Sequence, residues 1–318
     1  MIDHSFTQHE YAARLAKTRA EMANRGLDAL FVTDPSNMAW LAGYDGWSFY
    51  VHQGVLLTHE GQPVWWGRAM DSAGAQRTTY LDDDNIVGYD DTYVQNPDKH
   101  PMEDLARLIA DRGLENARIG FELDNYYFTA SAFLTLQTRL PGVNIQNATA
   151  LVNWQRAVKS PTELEYMRRA ARIVERMHEV IREKAEVGMR KNDLIADIYH
   201  ASVSGAEGHW GDYPACVPMT PSGLDATAPH ITWDDAPLRN NEGTFFEIAG
   251  AHRRYQCPQS RTLFLGKPPQ KYLHAENAVL EAIDAGLEQA KPGNRCEDIA
   301  RAFNTTLRNR GFEKESRC

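Results

Sequence analysis

No apolar run among the 318 residues approaches the ~20 needed to cross a bilayer, and the opening MIDHSFTQHEY is too polar for a secretory signal. A chain without either is expected in the cytoplasm. Cysteine is scarce: Cys216, Cys257, Cys296 and Cys318 lie far apart with no CxxC spacing, which excludes a zinc knuckle or a disulfide framework as the organising principle. There is no block of Lys or Arg, and the formal charge of −9 argues against nucleic acid or an anionic membrane as partner. Neither GxGxxG nor a P-loop glycine pattern occurs, so no dinucleotide or nucleotide triphosphate cofactor is expected. Repeats and low-complexity tracts are also missing.

What is present divides near residue 159. A length of 318 fits about two domains, and 42% hydrophobic residues suffice for a core in each. Residues 7–26 carry Tyr11, Leu15 and Met22 on one helical face and stop at Gly26. Beyond them DALFVT, VHQGVLLT, QPVWWGR, RIGFEL and VNIQNATALV read as strands, with MEDLARLIADRG and TASAFLTLQTRL as helices between them. An α/β domain is predicted over 1–158. A new helix then opens at Ser160, with Pro161 at its first position and Glu163 completing a capping box. Over 159–318 the pattern predicts a stripe of Leu164, Met167, Ala171, Val174, Met177 and Ile181, then a helix over Asn192–Ser204. An irregular stretch from Gly205 to Asn241, a β-hairpin, and two helices between Pro269 and Gly311 follow.

Two features of the second domain carry chemistry. Irregular stretches beyond ~12–15 residues in a compact domain are usually functional, and this one contains TPSGLDATAPHITWDD with His230. In the hairpin, Thr244–Gly250 and Arg261–Gly266 flank a polar turn and set Glu247 and Pro258 on its arms. Phe245, Phe246 and Ile248 make the surroundings of Glu247 apolar, where an unpaired charge is costly. Arg253, Arg254 and Arg261 stand open between solvated roles and pairing with a carboxylate. The runs Asp82-Asp83-Asp84, Asp90-Asp91 and Asp234-Asp235 lack the glycine-spaced alternation of a cation loop and read as solvated. Cys257 reads as a packed small residue, Trp65 and Trp66 as core, and Trp47 and Tyr50 as either core or ligand wall.

The stretch EIAGAHRRYQCPQSRT resembles the metal-binding hairpin of the pita-bread hydrolases, the family of methionine aminopeptidase, prolidase, aminopeptidase P and creatinase. Matching Tyr255 and Ser260-Arg261-Thr262 to that family's tyrosine and Thr-Arg-Thr puts Glu247 at its first metal-binding aspartate and Pro258 at its second. Proline has no ligand atom. The closer resemblance is to creatinase, which has also lost the metal and hydrolyses its substrate with a histidine at the position of His230. The runs DPSNMAWLAGYDGWSFYVHQGVLL, DNYYF, ALVNWQRAVKSPTELEYMRRAARIVE and FFEIAGAHRRYQCPQSRTLFLGKP extend the resemblance over essentially the whole chain. They point to a branch of the family that opens the cyclic amidine of ectoine, a compatible solute, to N-acetyl-2,4-diaminobutyrate.

The resemblance implies a creatinase-like N-terminal α/β domain over 1–158 and a pita-bread α+β catalytic domain over 159–318. No metal is expected, because a cyclic amidine is protonated near neutral pH and its carbon is electrophilic without a Lewis acid. Glu247 is expected to serve as counter-ion or nucleophile and His230 as proton shuttle. Trp47, Tyr50 and Arg68 are the substrate-binding candidates of the N-terminal domain, which in creatinase-like homodimers reaches the neighbouring protomer's site; Arg261 is the candidate in the hairpin. The family's catalytic domain also holds a later histidine motif and two glutamates. This chain ends at Glu315-Ser316-Arg317-Cys318 before them, so its catalytic domain is expected to be incomplete at the C-terminus. Two other readings stay open: a hydrolase of another amidine or guanidine, and a homologue that binds ligand without turnover.

Overall fold

Strands that are apolar at every position need cover on both faces, and the first unit supplies it. In a computed structural model that describes residues 5–314, the chain divides after Glu165 into two compact units. The first contains α1 (Gln8–Asn24), β1 (Ala29–Val32), α2 (Pro35–Ala42), β2 (Gly54–Thr58), β3 (Val64–Arg68), α3 (Ser72–Thr78), β4 (Ile86–Tyr89), α4 (Met102–Asp111), β5 (Arg118–Phe121), α5 (Ala130–Arg139), β6 (Asn144–Asn147) and α6 (Leu151–Arg156). Six strands form one mixed sheet in the order β4-β3-β2-β1-β5-β6. Side chains alternate between two buried layers. Leu30, Val32 and Trp65 pack with Leu15, Met22, Leu41 and Leu151 of α1, α2 and α6. Phe31, Trp66 and Ile119 pack on the opposite face with Leu105, Ile109 and Leu136 of α4 and α5.

Local sequence rules account for several boundaries. Thr7 caps α1 by accepting from the Glu10 N–H. Asp34 caps α2 through the Ser36 and Asn37 N–H groups, Pro35 takes the first turn, and Gly43 ends the helix with φ of 79°. The Asp-Pro start and Gly stop of α2 were legible in the sequence, yet that segment carried no helix expectation. Residues 151 and 152, expected at the end of a strand, open α6 instead, because Ala150 turns to φ of 61° and the strand ends at Asn147.

The capping box is present: the Ser160 N–H donates to Glu163 Oε2 at 2.7 Å, and the Glu163 N–H donates to Ser160 Oγ at 3.2 Å. It starts α7 (Pro161–Lys184), whose later turns bury Ala170, Ile173, Val174, Met177, Val180 and Ile181. Leu164, expected on this stripe, is 41% exposed. The polar Glu163 takes the inward place, because the cap and Trp40 Nε1, at 2.9 Å, both require its carboxylate.

The second unit adds α8 (Lys191–Ser204), the hairpin β7 (Glu242–His252) and β8 (Tyr255–Leu265), α9 (Gln270–Gln289) and α10 (Cys296–Asn309). The hairpin is longer than its two apolar runs. Its turn is only Arg253-Arg254, both left-handed with φ of 49° and 68°, the backbone of a type I′ turn that normally takes Asn-Gly. Asp212 holds it, accepting from the Arg254 N–H at 3.1 Å and pairing with its guanidinium at 3.4 Å. Further along β7, Gly250 lies against α7 so closely that a Cβ would meet the Ala170 carbonyl and the Val174 amide. Because both are helix backbone and cannot give way, Gly250→Ala is expected to cost about 1–3 kcal/mol. Urea unfolding checks this; an unchanged midpoint would sink it.

Candidate active site

Strand periodicity sorts the hairpin into two faces. Phe246 and Ile248 enter the core with Ile173, Val174 and Met177 of α7 and Leu194 and Ile198 of α8. Phe245, Glu247 and Ala249 therefore share the other face. The register pairs Glu247 with Ser260, Ala249 with Pro258 and Phe245 with Thr262. Pro258 is thus a diagonal neighbour of Glu247 on the same face, at the ~7–8 Å typical of such pairs. On the free edge of β7, Met219 exchanges both backbone hydrogen bonds with Glu247, at 2.9 and 3.0 Å, and its side chain joins that face. The half-buried Glu247 carboxylate is set among Met219, Phe245, Ala249, Pro258 and Ser260, and no hydrogen bond to it is formed among the described residues.

The segment carrying His230 is tied to the same strand. The Phe245 N–H donates to Pro221 O at 3.0 Å, the Gly223 N–H to Gly243 O at 2.9 Å, and the Ser222 and Thr244 hydroxyls pair at 2.8 Å. The Thr220 N–H donates to Thr232 O at 3.1 Å, closing a loop over residues 220–232 whose stem adjoins Glu247. His230 lies near the end of this loop, exposed and with φ of 64°. Among the described residues no hydrogen bond or ring contact links it to Glu247, so the fold brings the two elements together without joining the two side chains.

Sequence reasoning missed a third group. Burial, and after it the charge of Glu247, push the Cys216 thiol up. Burial and then Cys216 push the Tyr199 phenol up. Tyr199 in turn meets the Trp233 ring edge-on, with centroids 6.1 Å apart. Cys216 is therefore a protonated, half-buried neighbour of Glu247 at neutral pH. No local signal marks it, since it approaches only when residues 219–223 pair with β7.

Arg261 is not brought to Glu247. It is opposite Phe246 in the register, one step out of phase with Glu247, which turns its side chain to the helix-facing side of β8 near His178. In the first unit, Arg68 is held by Asp91 in a two-pronged pair, Nε to Oδ1 at 2.8 Å and Nη2 to Oδ2 at 3.1 Å. Trp47 and Tyr50 are 61% and 62% exposed, with the Trp47 ring meeting both Phe49 and Tyr50, whereas Trp65 and Trp66 are fully buried. Of the acidic runs, Asp234 pairs with Lys191 at 2.8 Å.

Comparison with known proteins places this geometry in context. Residues 14–158 match the Creatinase/Prolidase N-terminal domain and residues 165–318 match Metallopeptidase family M24. An ectoine hydrolase from Halomonas elongata is 55% identical over 98% of this chain and 80% of that protein. An uncharacterized hydrolase/peptidase from Sinorhizobium fredii is 37% identical over 98% of this chain and 80% of its own length. Among solved structures, a prolidase from Thermococcus sibiricus superposes with a TM-score of 0.80 at 17% identity, covering 95% of this chain and 78% of that one. A metal of the kind that a metallopeptidase family implies does not fit the hairpin. The diagonal position beside Glu247 is a proline ring with no donor atom, and no group of three or more His, Cys, Asp or Glu gathers among the described residues.

Proposed function

Because the chain belongs to the creatinase/prolidase family of hydrolases, we propose that it hydrolyses the cyclic amidine of ectoine, opening the ring to N-acetyl-2,4-diaminobutyrate without a metal. The observation that carries this reading is the face around Glu247: one carboxylate, neighbours that are apolar except Ser260, and proline at the adjoining ligand position. An amidinium is a delocalised cation, and a half-buried carboxylate without a hydrogen-bonding partner is its natural counter-ion. The positive charge makes the ring carbon electrophilic, so that attack by Glu247 or by water needs no Lewis acid. A proton must then reach the departing ring nitrogen. His230, on the loop tied to β7, serves as that donor when the loop folds over substrate.

Exposed Trp47 and Tyr50 supply an aromatic wall suited to a flat cation, contributed across a homodimer. The Asp91-bound Arg68 acts with them as anion partner only if substrate displaces that carboxylate. Sedimentation across a concentration series tests the dimer: a monomer at every concentration rules it out.

The test of function is proton NMR of ectoine incubated with the protein, with and without a chelator. Ring opening that survives chelation supports the reading. Chelator-sensitive turnover contradicts the metal-free step, and saturable binding without turnover favours a binding protein. His230→Ala is expected to lower kcat by about 10²–10⁴-fold, the usual contribution of a positioned acid or base, with little change in unfolding midpoint because the ring is exposed. Unaltered kcat would remove His230 from the mechanism.

A further inference from the structure

We propose that the cavity between α7 and the helix-facing side of β8 binds a small oxyanion, held by the guanidinium groups of Arg182 and Arg261 and the imidazole of His178. The cavity has a volume of about 450 Å³, and its charged or titratable lining is Glu175, His178, Glu179 and Arg182 from α7 and Arg261 from β8. It lies on the side of the hairpin opposite Glu247, floored by Phe246.

Charge balance points to an anion. Glu175 is paired with Arg172, and Glu179 with Arg176 at 3.1 Å, so both lining carboxylates are already neutralised by arginines outside the cavity. Arg261 donates to the neighbouring Ser260 carbonyl at 2.7 Å and, among the described residues, pairs with no carboxylate. Arg182 has neither a hydrogen-bond nor an ion-pair partner among the described residues. Two cations thus share one cavity with neither paired to a carboxylate among the described residues, and guanidinium pairs of this kind match the planar fork of a carboxylate or the oxygens of a phosphate-like group.

His178 makes the site responsive to protons. Its Nε2 is buried with no hydrogen-bond partner. Burial first, then the charge of Arg261 and, more weakly, of Arg182, push the imidazole down to about 4, against an opposing hydrogen bond with the Gln259 backbone. The ring is therefore neutral at pH 7 while two guanidinium groups face it. An anion seated between them offsets that field and adds an acceptor at Nε2, both of which raise the proton affinity of the imidazole, and the protonated ring donates from Nε2 to the bound oxygen. Binding then takes up a proton, and affinity rises as pH falls below neutrality.

Isothermal titration of the whole protein with sulfate and, separately, with acetate tests this. The sulfate charge is constant over the relevant range, and the two probes distinguish a phosphate-like ligand from a carboxylate. Saturable binding of at least one probe is expected, tighter at about pH 6 than at pH 7.5. Repetition in buffers of unequal ionisation enthalpy should reveal proton uptake. Arg182→Gln and Arg261→Gln, both at exposed residues, should each weaken binding by about 10-fold or more, and His178→Gln should remove the proton uptake. No saturable binding of either probe overturns the proposal, as does binding that both arginine variants leave intact; proton uptake that persists in His178→Gln overturns the role of the imidazole. The readout is binding, so loss of the ectoine reading leaves this one standing, and the reverse holds.

Discussion

Glu247→Gln is expected to abolish most ring opening, lowering kcat/KM for ectoine by about 10³-fold or more, while leaving the protein as stable as before or slightly more so. Glutamine keeps the shape of the side chain but removes the charge that would pair with an amidinium and the oxygen that would attack it. No hydrogen bond to the Glu247 carboxylate is formed among the described residues, and its neighbours Met219, Phe245 and Pro258 are apolar. Taking a charge out of such surroundings therefore costs the fold nothing, the usual signature of a residue kept for activity at the expense of stability. A second readout is independent of turnover. Because the Glu247 charge is one of two causes that push the Cys216 thiol up, the pH at which Cys216 alkylates should move downward in Glu247→Gln. Full activity in the variant would refute the assignment. Single turnover in ¹⁸O-labelled water tests the nucleophilic role of the carboxylate: label found in Glu247 requires a covalent adduct through that side chain, opened by water at the glutamyl carbon.

Arg14→Ala should be the most damaging single change in the first unit, by about 3–5 kcal/mol, the cost of leaving buried carboxylates without their cation. Arg14 is 4% exposed. Its guanidinium reaches Glu10 at 2.9 Å, Glu163 at 3.3 Å and the Trp40 carbonyl at 3.1 Å, and lies 3.8 Å above the centre of the Phe6 ring. Glu163 is itself committed to the α7 cap and to Trp40 Nε1, so removal of Arg14 strains the start of the helix as well as the ion pair. Arg14→Met combined with Glu163→Gln should cost less than the sum of the two single changes, because the pair disappears together. Denaturant midpoints of the four proteins decide it. Additive losses would show that the two side chains act separately.

The start of α7 was legible because a capping box is a contract among residues three apart, and Ser160, Pro161 and Glu163 satisfy it on their own. The buried strands of the first unit were legible for the same local reason, unbroken apolar character bounded by turn residues. Where a tertiary demand competed with a local one, the sequence misled. Leu164 fitted the apolar stripe, but Glu163 took the interior because Arg14 and Trp40, far away in the chain, needed its carboxylate.

The site divides along the same line. By itself the sequence determined that a hairpin carries Glu247 and Pro258 and that a histidine-bearing loop precedes it, since composition and short-range order suffice for both. Only the tertiary structure decided which side chains share the face of Glu247. The eleven-pair register of β7 and β8 sets Pro258 diagonal to it and turns Arg261 to the other side, and the pairing of residues 219–223 with the edge of β7 brings in Met219 and Cys216. A side chain's face follows from a period of two residues, but which strand it meets, and in what register, is fixed by backbone hydrogen bonds between segments that local pattern does not connect.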